Sequence, residues 1–257
     1  MKKKINKNSK TENTLIGQKK RFNLNGGISE CIKFENKNFL SHASIKNKDI
    51  IEFGCGIFPA LFGIDKFNMP NKYIASDTSK KIINAAKKNE NRPIYKIFDL
   101  EKKIKLKNKY DIIILKGVLH HTKKPEIIIK KIKNYLKKDG IIIISEPNLS
   151  SLIGNLLKFL LSFFFKISME DSPYGQYNFK KINKSIKISK MKIVKKWYSV
   201  LLLIPLTGDY GRIKVFPDIK FLFEVFIIIE KIIYNLLNLL LLTKFTHFKI
   251  NLIIKKN

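Results

Sequence analysis

Apolar residues along the chain follow two rhythms, and the change falls near residue 150. Before it, short apolar runs alternate with stretches whose apolar positions recur every three or four residues. The short runs read as strands: the approach from Ile45 into Phe53, then Lys72 to Ala75, Pro93 to Phe98, Tyr110 to Leu115 and Gly140 to Ser145. Tyr110 to Leu115 and Gly140 to Ser145 are almost wholly apolar, which predicts burial on both faces of a sheet. The longer stretches read as helices: Ile28 to Ser44, Pro59 to Asn68, Ser79 to Asn89 with Ile82, Ile83 and Ala86 in step, and Pro125 to Leu136. Strict alternation of strand and helix predicts βαβ units in a parallel sheet with right-handed crossovers. Ligands of such sheets bind at the carboxyl ends of the strands.

Past residue 150 the apolar stretches lengthen. Leu152 to Ile167 is apolar apart from residues such as Asn155 and Lys158, and Phe221 to Leu242 is a second long stretch. Between and after them, Asn178 to Ser189 reads as a helix, Lys192 to Leu203 as a strand, and Thr246 to Lys255 as a last strand. A membrane span needs about 20 apolar residues almost free of charge. The first stretch is too short before its lysine, and the second carries Glu224, Glu230, Lys231, Asn235 and Asn238. Buried cap helices are the favoured reading, with helices lying on a membrane surface as the alternative. The fold class is therefore α/β, a Rossmann-like open and mostly parallel sheet of about seven strands. Helices cover both faces, and helical cap insertions occupy the C-terminal third. Residues 1–25 read as a flexible basic tail and 26–257 as one domain. Its core is expected at 45–150, with cap helices at 151–190 and 204–244.

Charge changes this picture less than its size suggests. The 257 residues hold 51 Lys+Arg against 20 Asp+Glu, a net charge of +31. An anionic membrane or a nucleic acid would suit such a surface. Arginine, the preferred residue for bidentate phosphate and guanine contacts, occurs only at Arg21, Arg92 and Arg212. Lysine, isoleucine and asparagine crowd the whole chain, which fits a compositional skew better than a shaped nucleic-acid face. Two cysteines, Cys31 and Cys55, make neither a disulfide framework nor a zinc site. The basic start is not followed by an apolar signal-peptide core, so a cytoplasmic protein is expected, with peripheral contact at the inner face of the membrane as an addition.

The candidate chemistry lies where the first strand ends, in Ile50-Ile51-Glu52-Phe53-Gly54-Cys55-Gly56-Ile57-Phe58-Pro59. Two glycines one residue apart permit a tight turn and close approach of a ligand. The dinucleotide pattern G-x-G-x-x-G fails, because its third glycine would be Pro59. Glu52-Phe53-Gly54-Cys55-Gly56 instead resembles the acid-x-G-x-G turn of class I S-adenosylmethionine-dependent methyltransferases, the type 11-like domains among them. Ser76-Asp77-Thr78-Ser79 resembles that family's segment after the second strand, and Asp99-Leu100 its acidic position after the third. Tyr110 to Leu115 followed by Lys116-Gly117-Val118-Leu119-His120-His121 is similar to its fourth-strand segment. The resemblance covers roughly 45–150, and it departs at Phe58, where the family has a third glycine.

The resemblance implies an antiparallel last strand in the sheet and S-adenosyl-L-methionine as cofactor, and it assigns roles residue by residue. Gly54, Cys55 and Gly56 would offer backbone amides to the ligand carboxylate, with Glu52 near its ammonium group. Asp77, with Thr78 beside it, would accept from the ribose hydroxyls, and Asp99 with Leu100 would meet the adenine. Lys116 and Gly117 would flank the methionine portion. His121 is the candidate proton acceptor at the reaction end. Metal-binding members carry E-x-x-E-H here; Gly117, His120 and His121 lack its two carboxylates, so no metal is carried over. The implied reaction is methyl transfer to an acceptor. The apolar stretches favour a lipid-like small molecule, such as a quinone precursor or a lipid-linked sugar. A nucleic-acid methyltransferase and a degenerate, non-catalytic binding module remain as alternatives.

Overall fold

Seven strands form one sheet in the order β3-β2-β1-β4-β5-β7-β6. The computed structural model describes residues 23–102, 104–165, 178–211 and 215–257, so most of the expected 1–25 tail lies outside the described residues. The strands are β1 (Asp49–Phe53), β2 (Lys72–Asp77), β3 (Ile94–Ile97), β4 (Tyr110–Lys116), β5 (Leu136–Pro147), β6 (Met191–Ser199) and β7 (Lys249–Lys256). The helices are α1 (Gly27–Ser41), α2 (Lys80–Asn89), α3 (Pro125–Lys133), α4 (Leu152–Phe165), α5 (Phe179–Ile188), α6 (Leu203–Gly211), α7 (Lys220–Leu239) and the one-turn α8 (Thr243–Thr246). All strand pairs from β3 to β5 are parallel. β7 runs antiparallel to both β5 and β6, so β6 points the same way as the rest. The expected mostly parallel sheet with an antiparallel last strand is what forms.

Alternation along the central strands divides the core in two. Ile113 and Leu115 of β4 face one side with Ile51, Phe53, Ile142 and Ile144; there they meet Ile128, Ile129 and Ile132 of α3 and Ile182 and Ile186 of α5. Ile112 and Ile114 face the other side with Ile50 and Ile143, against Ile83 and Ala86 of α2 and Phe39 and Leu40 of α1. Each of these isoleucines is essentially dry, and burying one contributes about 1.5–3 kcal/mol. At the amino edge Lys137 pairs with Asp49 at 2.9 Å and Asp111 at 2.8 Å, tying the starts of three strands.

Four boundaries differ from expectation. Pro59–Asn68 is not a helix: it makes turns and a single 3-10 turn at Lys66–Asn68. Gly63 at φ +88 ends the first turn, and distant side chains take the carbonyls that a helix would pair. Asn36 donates to Pro59 and Phe62, and Arg92 to Leu61 and Ile64. The Pro125 helix stops at Lys133 because Leu136 already pairs with Tyr110 in the sheet. β6 ends at Ser199, and Leu203 opens α6 instead. The last strand begins at Lys249, after α8. Within 151–190, α5 packs on α3 and β6 as part of the sheet layer. Outside it, α6 and α7 pack on α1 around Ile28, Cys31, Phe62, Leu203 and Phe223.

Candidate active site

The strand order reverses between β1 and β4, and the residues singled out in the sequence gather at the carboxyl edge around that point. From β3 towards β5 the edge presents Asp99, Asp77, the Gly54–Gly56 turn, Lys116-Gly117 and then Glu146. Neighbouring strands lie about 4.8 Å apart, so Asp99 and Gly117 bracket an edge roughly 15 Å long, suited to an elongated ligand.

The glycine turn is left-handed at both glycines, with φ +69 at Gly54 and +58 at Gly56. A Cβ on Gly54 would meet Val118 Cγ2 at 2.6 Å. A Cβ on Gly56 would meet nothing within 4 Å, so among the described residues the space over that glycine is open. Phe58 does not fill it: its ring lies 4.9 Å from that of Phe62 and joins the apolar cluster under α1. The amides of the turn are already used. Cys55 N–H donates to the Ser76 carbonyl at 2.9 Å, and Gly56 N–H donates to Asp77 Oδ2 at 3.3 Å. These two bonds hold the turn against the end of β2. Cys55 itself is buried and its thiol is pushed well above its ordinary pKa by desolvation, which removes thiolate chemistry.

Glu52 supports the turn from beneath. It is 1% exposed, both its oxygens accept from the Ala60 amide at 3.1 Å, and Oε2 accepts from the Tyr73 hydroxyl at 2.8 Å. Burial pushes its carboxyl from 4.5 to about 7, against the opposing pull of those donors. The enclosed side chain ties the end of β1 to Ala60 and Tyr73.

Asp77 is half-buried at the end of β2, and exposed Thr78 follows it. Besides Gly56, it accepts from Ser79 N–H at 3.1 Å, while Ser79 Oγ caps α2. Desolvation raises its pKa in spite of these donors. Phe98 N–H donates to the Asp77 carbonyl, which sets Asp99 on the adjoining strand end. Asp99 accepts from Glu101 N–H at 2.9 Å, and Leu100 is buried beside it. Gly117, at φ +67, donates to the Ser145 carbonyl. Lys116 turns towards α1: its amine lies 2.6 Å from Asn36 Oδ1 and 3.2 Å from Glu35, which also pairs with Lys249. Burial lowers its pKa, offset by Glu35.

Glu146, at the end of β5, gathers the segment after Gly117. Its carboxylate accepts from the amides of Val118, Leu119 and His120 at 3.1, 2.7 and 3.3 Å. Oε2 also lies 2.5 Å from His120 Nδ1, which places the hydrogen of a neutral ring on that nitrogen. The His120 ring stands near Gly117 and lies against His121 with centroids 3.9 Å apart and the planes tilted by 41°. His121 is half-buried at the same edge. Sequence reading singled out His121 and overlooked Glu146, whose only local signal was an acid closing an apolar strand.

A family model described as a methyltransferase domain matches residues 44–201. Over 125 residues the chain is 30% identical to the ubiquinone biosynthesis O-methyltransferase of Pelagibacter ubique (strain HTCC1062). That match takes in 47% of this chain and 51% of the relative, so it spans about half the relative's length. Among solved structures, magnesium protoporphyrin IX methyltransferase from Synechocystis PCC 6803 is similar with a TM-score of 0.54 at 14% identity, over 90% of this chain and 84% of that one. Coclaurine N-methyltransferase gives 0.57 at 12% identity, over 86% and 72%. An S-adenosylmethionine-dependent methyltransferase from Mesorhizobium loti gives 0.52 at 10% identity, over 86% and 96%. At these identities the structural likeness speaks to the fold, whereas the family model covers more than half of the chain. The chain belongs to the class I S-adenosylmethionine-dependent methyltransferases.

Proposed function

We propose that the carboxyl edge holds S-adenosylmethionine from Asp99 to Gly117 and directs its methyl group to an apolar, lipid-like acceptor. The observation that carries the reading is the open space over Gly56, bounded by Asp77 on one side and Gly117 on the other. When bound, the cofactor supplies an electrophilic methyl group that an acceptor oxygen, nitrogen or carbon takes in a single displacement. Asp77 accepts from the ribose hydroxyls with the lone pairs that Gly56 and Ser79 leave over. Asp99 and the Leu100 backbone meet the adenine. Gly54 and Gly56 keep the backbone low, and Gly117 does the same at the methionine end. Lys116 reaches this end from its contact with Asn36 and Glu35. Glu146 orients His120, and His121 takes the proton that the acceptor releases.

Two observations support a quinone precursor as acceptor class. The one curated relative named above is an O-methyltransferase of ubiquinone biosynthesis. Exposed apolar helices flank the edge. Peripheral contact with a membrane follows from the same helices.

Calorimetry with S-adenosylmethionine tests the cofactor site. Binding is expected to weaken at least about 30-fold in Asp77→Ala, by loss of charge-assisted hydrogen bonds, and to vanish in Gly54→Val. Unchanged binding in both variants sinks the assignment. Radiolabelled methyl transfer to a phenolic quinone precursor, with and without its prenyl tail, tests the acceptor. A tail that leaves kcat/KM unchanged overturns the apolar class. A steep fall of RNA binding with salt would instead favour a nucleic-acid substrate.

A further inference from the structure

The helices beside the site expose an apolar surface that a water-soluble partner-free protein does not ordinarily carry. On α4, Leu156, Phe159 and Phe163 stand one turn apart and are 59%, 63% and 69% exposed. Phe159 and Phe163 stack with centroids 6.0 Å apart. On α7, Leu236 and Leu239 are exposed along one stripe, and Leu241 at the tip before α8 is 82% exposed. α8 packs against both α4 and α7, so the three elements are joined. Contiguous apolar area of this kind marks an interaction surface.

Its place in the fold is fixed by strand pairing. Pro147 at the end of β5 pairs with Lys249 at the start of β7. α4 begins five residues after the first, and α8 ends three residues before the second. Both helices therefore leave the carboxyl edge of the sheet, where the glycine turn, Asp77 and Gly117 lie. Among the described residues no helix is long and apolar enough to cross a membrane, so the surface is built to lie on a partner.

Charge selects that partner. The chain carries +31, and the same helices bear exposed Lys231 on α7, its amine over the Phe34 ring, and exposed Lys244 on α8, its amine over the Phe245 ring. Two copies facing each other here would meet like charge, whereas a bilayer with anionic headgroups meets opposite charge and offers acyl chains to the apolar stripe. We propose that α4, α7 and α8 dock the protein on an anionic lipid bilayer, with the carboxyl edge of the sheet facing the headgroup boundary. The docking gives an apolar acceptor a route to the site without passing through water, and in that purpose it rests on the acceptor reading above. The two are separable, because docking is measured without any acceptor and methyl transfer with acceptor in detergent.

Flotation of the full chain with vesicles tests this, using phosphatidylcholine alone or with about a third phosphatidylglycerol. The protein is expected to float with the anionic vesicles. Phe159→Ser, Phe163→Ser, Leu236→Ser and Leu239→Ser combined should lower partitioning at least about tenfold, since each removes apolar area from the acyl boundary. Their thermal melting and S-adenosylmethionine binding should remain as in the parent. Lys231→Glu with Lys244→Glu should lower the preference for anionic vesicles by about fivefold or more for each charge. A parent protein that stays with the soluble fraction overturns the proposal. So does a combined variant that floats as the parent does, or light scattering that shows a dimer which the combined variant abolishes.

Discussion

The carboxyl edge of the sheet and the helices that flank it treat carboxylates and apolar side chains in opposite ways. At the edge, Glu52 and Glu146 are dry and accept from donors of the protein, Glu146 from four and Glu52 from two, and the isoleucines around them are fully covered. In the flanking helices one acid, Glu230, does similar work: it accepts from the amides of Leu201, Leu202 and Leu203 and so holds the start of α6. The apolar residues of α4 and α7 stay outside, with Leu239 at 80% exposure. The difference teaches where rigidity resides. A buried hydrogen-bonded network fixes the edge, while the helices are pinned at a few points and keep an exposed apolar face.

The largest expected effect tests the edge. Glu146→Leu leaves the amides of Val118, Leu119 and His120 without their acceptor, and should cost about 4 kcal/mol in denaturant unfolding. A loss below about 1 kcal/mol would show that the network is not what holds this segment.

Acidity should then separate the two regions by sign. Glu52 has a folded-state pKa of about 7, above its ordinary 4.5, so its contribution is complete at low pH and is lost as pH rises through about 7. His247, buried between α8 and β7, is shifted from 6.5 down to about 4 by desolvation. The unfolded chain then takes up that proton first, and stability is lost as pH falls from 6.5 through about 4. Each shift corresponds to about 3 kcal/mol. Melting curves across pH should show Glu52→Gln losing the fall that accompanies a rise from about pH 4.5 to 7, and His247→Asn losing the fall that accompanies a drop from 6.5 to about 4; identical profiles in parent and variants would remove the contrast.

Arg92→Leu comes next, at about 2 kcal/mol by thermal melting, because the carbonyls of Leu61 and Ile64 and the carboxylate of Glu90 lose one donor group together. The smallest effect belongs to the helices: Leu239→Ser should change stability by less than about 0.5 kcal/mol in the absence of lipid. A larger loss would mean that this face is packed in solution.

What could be read from the sequence follows the range of the interactions. The strands and Gly54-Cys55-Gly56 were legible because apolar runs and glycine geometry are local properties, and Asp77 and Gly117 because they stand in segments that resemble the family's. The Pro59–Asn68 turn was misread because the donors that replace helix bonds, Asn36 and Arg92, come from other elements. Glu146 was overlooked for the same reason: its partners lie 26 to 28 residues earlier. The bonds of the Cys55 and Gly56 amides were not legible either, because their acceptors, Ser76 and Asp77, belong to the next strand. Phe58 stood where a glycine was expected, and only the packing of α1 shows where its ring goes.

The position of β7 between β5 and β6 also orders the birth of the molecule. On the ribosome, the nascent chain completes β1 to β5 from contacts that are all upstream, so the cofactor half can gather while synthesis continues. β6 is finished at Ser199, yet its one partner strand starts only at Lys249. Through that interval β5 keeps an open edge and β6 waits unpaired, beside the apolar helices that emerge between them. Such an interval exposes a growing chain to misassociation and makes it a natural client for chaperones. The final residues act as the clasp, and their arrival joins the two regions into one sheet.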